Sequence, residues 1–162
     1  MSNKMKFPEG DNWFKRNIKK IEETKNIKSS ELLLDWLRPF EKSINNICEI
    51  GCGSGHNLSF LCKELNASGF GVEPSKRAIE YIKNNFPQIE TTRETGDDIK
   101  FSSNSFDLVH LGFFLYLVDR KYFLKCVSEA DRLLKFGGFL SIFDFDVPIQ
   151  YSNNYKYDEK IF

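Results

Sequence analysis

Glu49-Ile50-Gly51-Cys52-Gly53-Ser54-Gly55 decides the fold of this chain, because three glycines at alternate positions follow directly on an apolar, β-branched run over 44–50. A run of that kind reads as a strand buried on both faces. Glycines after it let the backbone turn tightly and approach a ligand that a Cβ would push away. The helix expected next, over 57–65, would aim its unpaired N–H groups into the same space. The segment therefore reads as the first strand-to-helix turn of an α/β domain.

Outward from that turn the pattern keeps alternating. The sequence predicts a strand over 69–73, a helix over 75–86, a short strand over 89–93 and a strand over 106–111. A long helix over 119–136, capped by Gly137-Gly138, and a strand over 139–145 follow. Strands separated by helical patterns imply a Rossmann-like, doubly wound and mainly parallel sheet with helices on both faces. Upstream, Trp13, Phe14, Ile18 and Ile21 recur at helical spacing over 11–24, and a second helix over 30–38 ends at Pro39. The expectation is one domain over 1–162: a helical cap over 1–43, a ligand-binding core over 44–145 and an irregular tail over 146–162.

Composition narrows the partners. Lysine plus arginine and aspartate plus glutamate both number 23, so no net field draws in nucleic acid or an anionic membrane, and a small molecule fits better. No apolar run reaches the roughly 18 residues of a membrane span, and no apolar stretch backs the N-terminal lysines, so the expected location is the cytoplasm. Cys48, Cys52, Cys62 and Cys126 sit among apolar neighbours and read as reduced, buried thiols. Cys48 and Cys52 have no second pair at zinc-site spacing, so no metal is expected. Nothing in the sequence marks an oligomeric state.

In an open parallel sheet the ligand lies beyond the carboxyl ends of the strands. Glu49 stands two residues before the first glycine, where it would repel phosphates and suits a cationic ligand. The spacing Gly51, Gly53, Gly55 is not the dinucleotide fingerprint, since position 56 is His56, and no Gly-Lys-Ser/Thr completes a phosphate loop. Glu73, in Gly71-Val72-Glu73-Pro74-Ser75, can accept both hydroxyls of a ribose, which fits NAD or S-adenosylmethionine (SAM) alike. In Gly96-Asp97-Asp98-Ile99 an acidic side chain could read the edge of an adenine while Ile99 packs on its face. At the end of the fourth strand His110, beside Leu111, reads as a general base or as a hydrogen-bonded core histidine.

The order of Glu49-x-Gly51-x-Gly53-x-Gly55, Glu73, Asp97-Asp98-Ile99, Asn104-Ser105-Phe106-Asp107-Leu108-Val109 and Arg132-Leu133-Leu134-Lys135-x-Gly137-Gly138 resembles the class I SAM-dependent methyltransferases, in particular the broad type 11 group. The resemblance covers 44–145 and implies an enzyme that binds SAM and releases S-adenosylhomocysteine (SAH). It places the methionine part of the cofactor at Glu49, Gly51, Gly53 and Gly55, the ribose at Glu73, and the adenine at Asp97, Asp98 and Ile99, with Cys52, Pro74 and Leu111 also lining the cofactor site. Transfer from a sulfonium needs mainly alignment of donor and nucleophile, so no catalytic side chain is obligatory, and His110 is the candidate base for a hydroxyl acceptor. The segment Gly10-Asp11-x-Trp13-Phe14-x-Arg16-Asn17 is similar to one that precedes this domain in some sugar-modifying methyltransferases. That likeness implies a sugar or surface-glycan precursor as acceptor, with Trp13, Phe14 and Arg16 closing over the cofactor. The family sheet has seven strands and the sixth and seventh are not expected here, which leaves a SAM-binding partner or sensor without turnover as the alternative. An NAD-linked oxidoreductase is disfavoured by the glycine spacing, and a radical-SAM enzyme by the lack of a three-cysteine run.

Overall fold

The structure is a computed structural model and describes residues 9–24 and 27–146. Its centre is β1 (Asn46–Ile50), which pairs in parallel with β2 (Ser68–Val72) on one side and β4 (Phe106–Gly112) on the other. β3 (Ile89–Thr92) and β5 (Leu134–Phe143) complete a parallel five-stranded sheet of order β3-β2-β1-β4-β5. Strand order therefore reverses between β1 and β4, and a crevice opens there above the strand ends.

Alternation along each strand divides the core in two. Ile47 and Leu108 face α2 (Lys28–Leu37), α3 (His56–Leu65) and α4 (Lys76–Asn85), packing with Leu34, Leu58, Leu61 and Ile82. Cys48, Ile50, Val109 and Leu111 face α5 (Arg120–Leu133) through Tyr122, Cys126, Ala130 and Leu133. The four cysteines are buried free thiols, as the sequence implies. Helices thus cover both faces. Beside α5, edge-to-face contacts of 5.2 to 5.8 Å among Phe70, Phe101 and Phe106 cover the part of the second face where the connection from β3 to β4 carries no helix. No helix among the described residues is long and apolar enough to cross a membrane.

Element boundaries shift in two informative places. The helix expected over 119–136 ends at Leu133, and Gly137-Gly138 do not cap it. Leu134 instead pairs at once with Phe106, and the next matched pair is Leu108 with Phe139, so 135–138 bulge out of β5 with Gly137 at φ +78°. A Cβ at Gly138 would lie 3.0 Å from the Lys135 carbonyl oxygen and 3.1 Å from that of Asp107, which explains the second glycine. At the other end α2 stops at Leu37, and Pro39 lies within a 3-10 turn, Arg38–Ser43, that leads to β1. The expected irregular tail and the question of further strands fall on 147–162, outside the described residues.

Asp107 locks the bottom of the sheet. Its Oδ2 accepts from the amides of Asn45 at 3.0 Å and Asn46 at 2.9 Å, and its Oδ1 accepts from Lys135 Nζ at 2.8 Å. Burial disfavours the charge, but the lysine and the two amides outweigh it and hold the carboxyl below its ordinary range. Asp107→Ala is expected to lower unfolding stability by about 2 kcal/mol, read as a fall in urea midpoint at unchanged slope.

Candidate functional site

The glycine loop connects β1 to α3 above the crevice. Gly51, Gly53 and Gly55 lie at φ +75°, +53° and +76°, in the left-handed region that L side chains rarely adopt. Gly51 is also sterically required, because a Cβ would meet Phe114 Cδ2 at 2.6 Å. Cys52 is buried with its Sγ where a Cβ of Gly71 would stand.

Two carboxyl groups flank this loop. Glu49, 2% exposed, leaves its Oε2 without a partner among the described residues. Burial, then the neighbouring Glu73, weakens it as an acid and pushes its pKa up to about 8, against a weaker opposing hydrogen bond from the Leu58 amide. Glu73 stands just after β2, with Oε2 accepting from Gly53 N at 2.9 Å and Oε1 from Ser75 N at 2.8 Å. Its own burial raises it to about 7 despite those two amides. The site therefore keeps both carboxyls protonated to higher pH than usual, and a cation at the loop would draw the protons off. Beside Glu73, Pro74 presents its carbonyl to Arg93 Nε at 3.2 Å.

The third expected segment is placed less openly. Asp97 is buried, with Oδ1 accepting from Thr95 Oγ1 at 2.7 Å and Oδ2 lying 3.5 Å from Lys125 Nζ. Asp98 is half-buried and bridges back to Thr95, while Ile99 and Leu111 are buried in the core on the α5 side. His110 is 1% exposed. Its Nδ1 lies 3.1 Å from Ser141 Oγ, and its unpartnered Nε2 occupies the space that a Cβ of Gly112 would take. Burial, only partly opposed by Ser141, lowers it to about 4, so the ring is neutral.

α1 (Glu9–Thr24) crosses the mouth. Asp11 Oδ1 accepts from Ser75 Oγ at 2.6 Å and from Arg77 N at 3.1 Å, fixing the helix to the start of α4. Phe14 is buried, its ring 5.7 Å from that of Tyr81. The Trp13 ring lies 3.6 Å from where a Gly53 Cβ would be, and its indole N–H is directed to the Tyr116 hydroxyl. Arg16 is exposed. Sequence reasoning missed Asp11 and left the run Phe113-Phe114-Leu115-Tyr116-Leu117 unresolved. The structure divides that run: Phe114, Leu115 and Leu117 are core, Tyr116 is half-buried, and Phe113 faces out.

Similarity to known proteins bears on the family and the fold. A family model described as a methyltransferase domain matches residues 47–138. An uncharacterised methyltransferase of Synechocystis is 28% identical over 102 residues, covering 63% of this chain and 48% of that protein. A ubiquinone/menaquinone biosynthesis C-methyltransferase of Campylobacter jejuni is 28% identical over 106 residues, covering 61% of this chain and 44% of that one. The chain thus spans about half the length of these relatives. In fold it is similar to Streptomyces venezuelae DesVI, with a TM-score of 0.70 at 16% identity over 86% of this chain and 60% of that one. The SAM-bound amino pentose methyltransferase CalS10 of Micromonospora echinaspora aligns with a TM-score of 0.68 at 15% identity, over 80% of this chain and 55% of that one. With the family model matching more than half its length, this chain belongs to the methyltransferase-domain family, among the class I SAM-dependent methyltransferases.

Proposed function

We propose that this chain binds SAM in the crevice between β1 and β4 and transfers its methyl group to a small-molecule acceptor. The observation that carries the reading is the pair Glu49 and Glu73 buried on either side of a loop of left-handed glycines. When bound, SAM supplies an electrophilic methyl group on a positively charged sulfur. Glu73 would exchange its bonds to Gly53 and Ser75 for ribose hydroxyls, Glu49 would face the cationic end, and Asp97, Asp98 and Ile99 would border the adenine. Trp13 on α1 would close the mouth, excluding water and orienting the two reactants, a kind of alignment worth up to about 7 to 11 kcal/mol of barrier. A sugar or glycan precursor is the first acceptor class to screen, supported by the N-terminal segment and by the fold shared with an amino pentose methyltransferase.

Titration calorimetry with SAH tests the site directly. Saturable one-to-one binding is expected, weakened about 10- to 100-fold in Glu73→Ala through loss of its charge-assisted bonds. A folded chain that takes up no SAH overturns the reading.

Proton linkage gives a second test. Glu49 and Glu73 are raised in the folded state to about 8 and about 7 from an ordinary 4.5, so the folded chain holds protons that the unfolded chain has lost between those limits. Stability of the ligand-free protein should accordingly fall as pH rises from about 4.5 to 8. Glu49→Gln should flatten much of that fall, leaving the variant more stable than the parent at pH 9 by roughly 4 kcal/mol, measured by urea unfolding at stepped pH.

A further inference from the structure

We propose that the acceptor is an amine, drawn in as its ammonium form by an aromatic wall of Phe113, Tyr116 and Phe145 beside the carboxylate of Asp144. The inference rests on the SAM site proposed above and assigns the chemistry of the other reactant.

Phe113 has φ +51°, a left-handed conformation that costs a bulky side chain about 1 to 3 kcal/mol. The core does not gain from it, since the ring remains 38% exposed. Instead the ring is turned to within 5.2 Å of Phe145, itself 64% exposed, and Phe145 lies 5.0 Å from Tyr116. The wall adjoins the cofactor crevice at two points. Phe114, the residue after Phe113, wedges between Gly51 and Gly96, and Tyr116 receives the indole N–H of Trp13.

Asp144 gives this wall its charge preference. Its Oδ2 accepts from Tyr116 N at 3.1 Å and its Oδ1 from Phe145 N at 2.8 Å, so the carboxylate is fixed at the backbone of two of the three ring-bearing residues. No lysine or arginine among the described residues pairs with it. Burial raises the Tyr116 hydroxyl, the Trp13 N–H lowers it, and the Asp144 charge adds a smaller upward push. Aromatic faces beside a carboxylate that no cation among the described residues neutralises attract a cation and offer nothing particular to an alcohol. An alcohol would also need a base within reach, and the ring nitrogens of His110 are buried against Ser141 and Gly112.

The step balances without a further reactant. The bound ammonium gives one proton to water, and the neutral nitrogen's lone pair forms the new N–C bond as the C–S bond breaks. The pair from that bond stays on sulfur to give SAH, and the methylated ammonium leaves with the positive charge.

The test uses choline, which carries a fixed positive charge, and its neutral isostere in which carbon replaces the nitrogen. Both are titrated into the chain by NMR, with and without saturating SAH. Choline is expected to bind at least about 10-fold more tightly, the equivalent of about 1.4 kcal/mol. That preference should vanish in Phe145→Leu and fall in Asp144→Asn, each first shown to unfold cooperatively. Equal affinities, a tighter neutral probe, or a preference that survives Phe145→Leu overturns the proposal. SAH binding without a choline preference removes the amine alone, whereas a choline preference without SAH binding removes the SAM site and keeps the wall.

Discussion

Two carboxyl groups buried at the ends of neighbouring strands are the constraint around which this structure is arranged. Glu49 and Glu73 hold their protons to higher pH than ordinary carboxyls where they stand, because burial raises both and the Glu73 charge raises Glu49 further. Folding alone gains nothing from such a pair, and apolar residues of similar size would serve the core better. Their retention beside left-handed glycines makes sense when a cation completes the site. Satisfying Glu73 with the amides of Gly53 and Ser75 meanwhile holds the loop in shape while that place is open.

The same carboxylate links the loop to the helix over it. Glu73 takes the Ser75 amide, the Ser75 hydroxyl donates to Asp11, and Asp11 also accepts from Arg77 at the first turn of α4. Asp11 is held below the ordinary range by the Ser75 hydroxyl first and the Arg77 amide second, so it remains charged where the dipole of α4 favours it. A chain of bonds therefore runs from the ligand acid to the root of α1, and Trp13 lies one helical turn or less beyond that root.

Much of this was legible in the sequence. The strands, the glycine turn, the acids at strand ends and the amphipathic α1 follow from periodicity and from residue types with few other uses. What the sequence concealed depended on contacts between distant positions. Gly137-Gly138 look like a helix end until Phe106 claims Leu134 for the sheet. Asp11 reads as the start of α1, and only folding brings it to Ser75, 64 residues away. Phe113 carries no marker of its left-handed backbone, since glycine and asparagine are the usual residues there. His110 was legible as a candidate base by position, yet Gly112 opens a niche for its ring that no local pattern announces.

That niche bears on how charge is handled across the site. Transfer from a sulfonium to a neutral amine moves one positive charge from sulfur to nitrogen and creates no negative charge at all. A carboxylate at the acceptor end would favour the charge as it arrives on nitrogen, and a neutral amine needs no base to take a proton from it during transfer. Among the described residues Glu49 and Glu73 stand at the loop, Asp144 at the backbone of Tyr116 and Phe145, and a neutral His110 is buried, a distribution compatible with the proposed amine acceptor. For a hydroxyl acceptor the demand reverses, because an alkoxide-like oxygen develops and carboxylates alongside it would raise the barrier. The strain at Phe113 fits the first case, since holding an aromatic face toward a travelling cation lowers its energy without taking its proton.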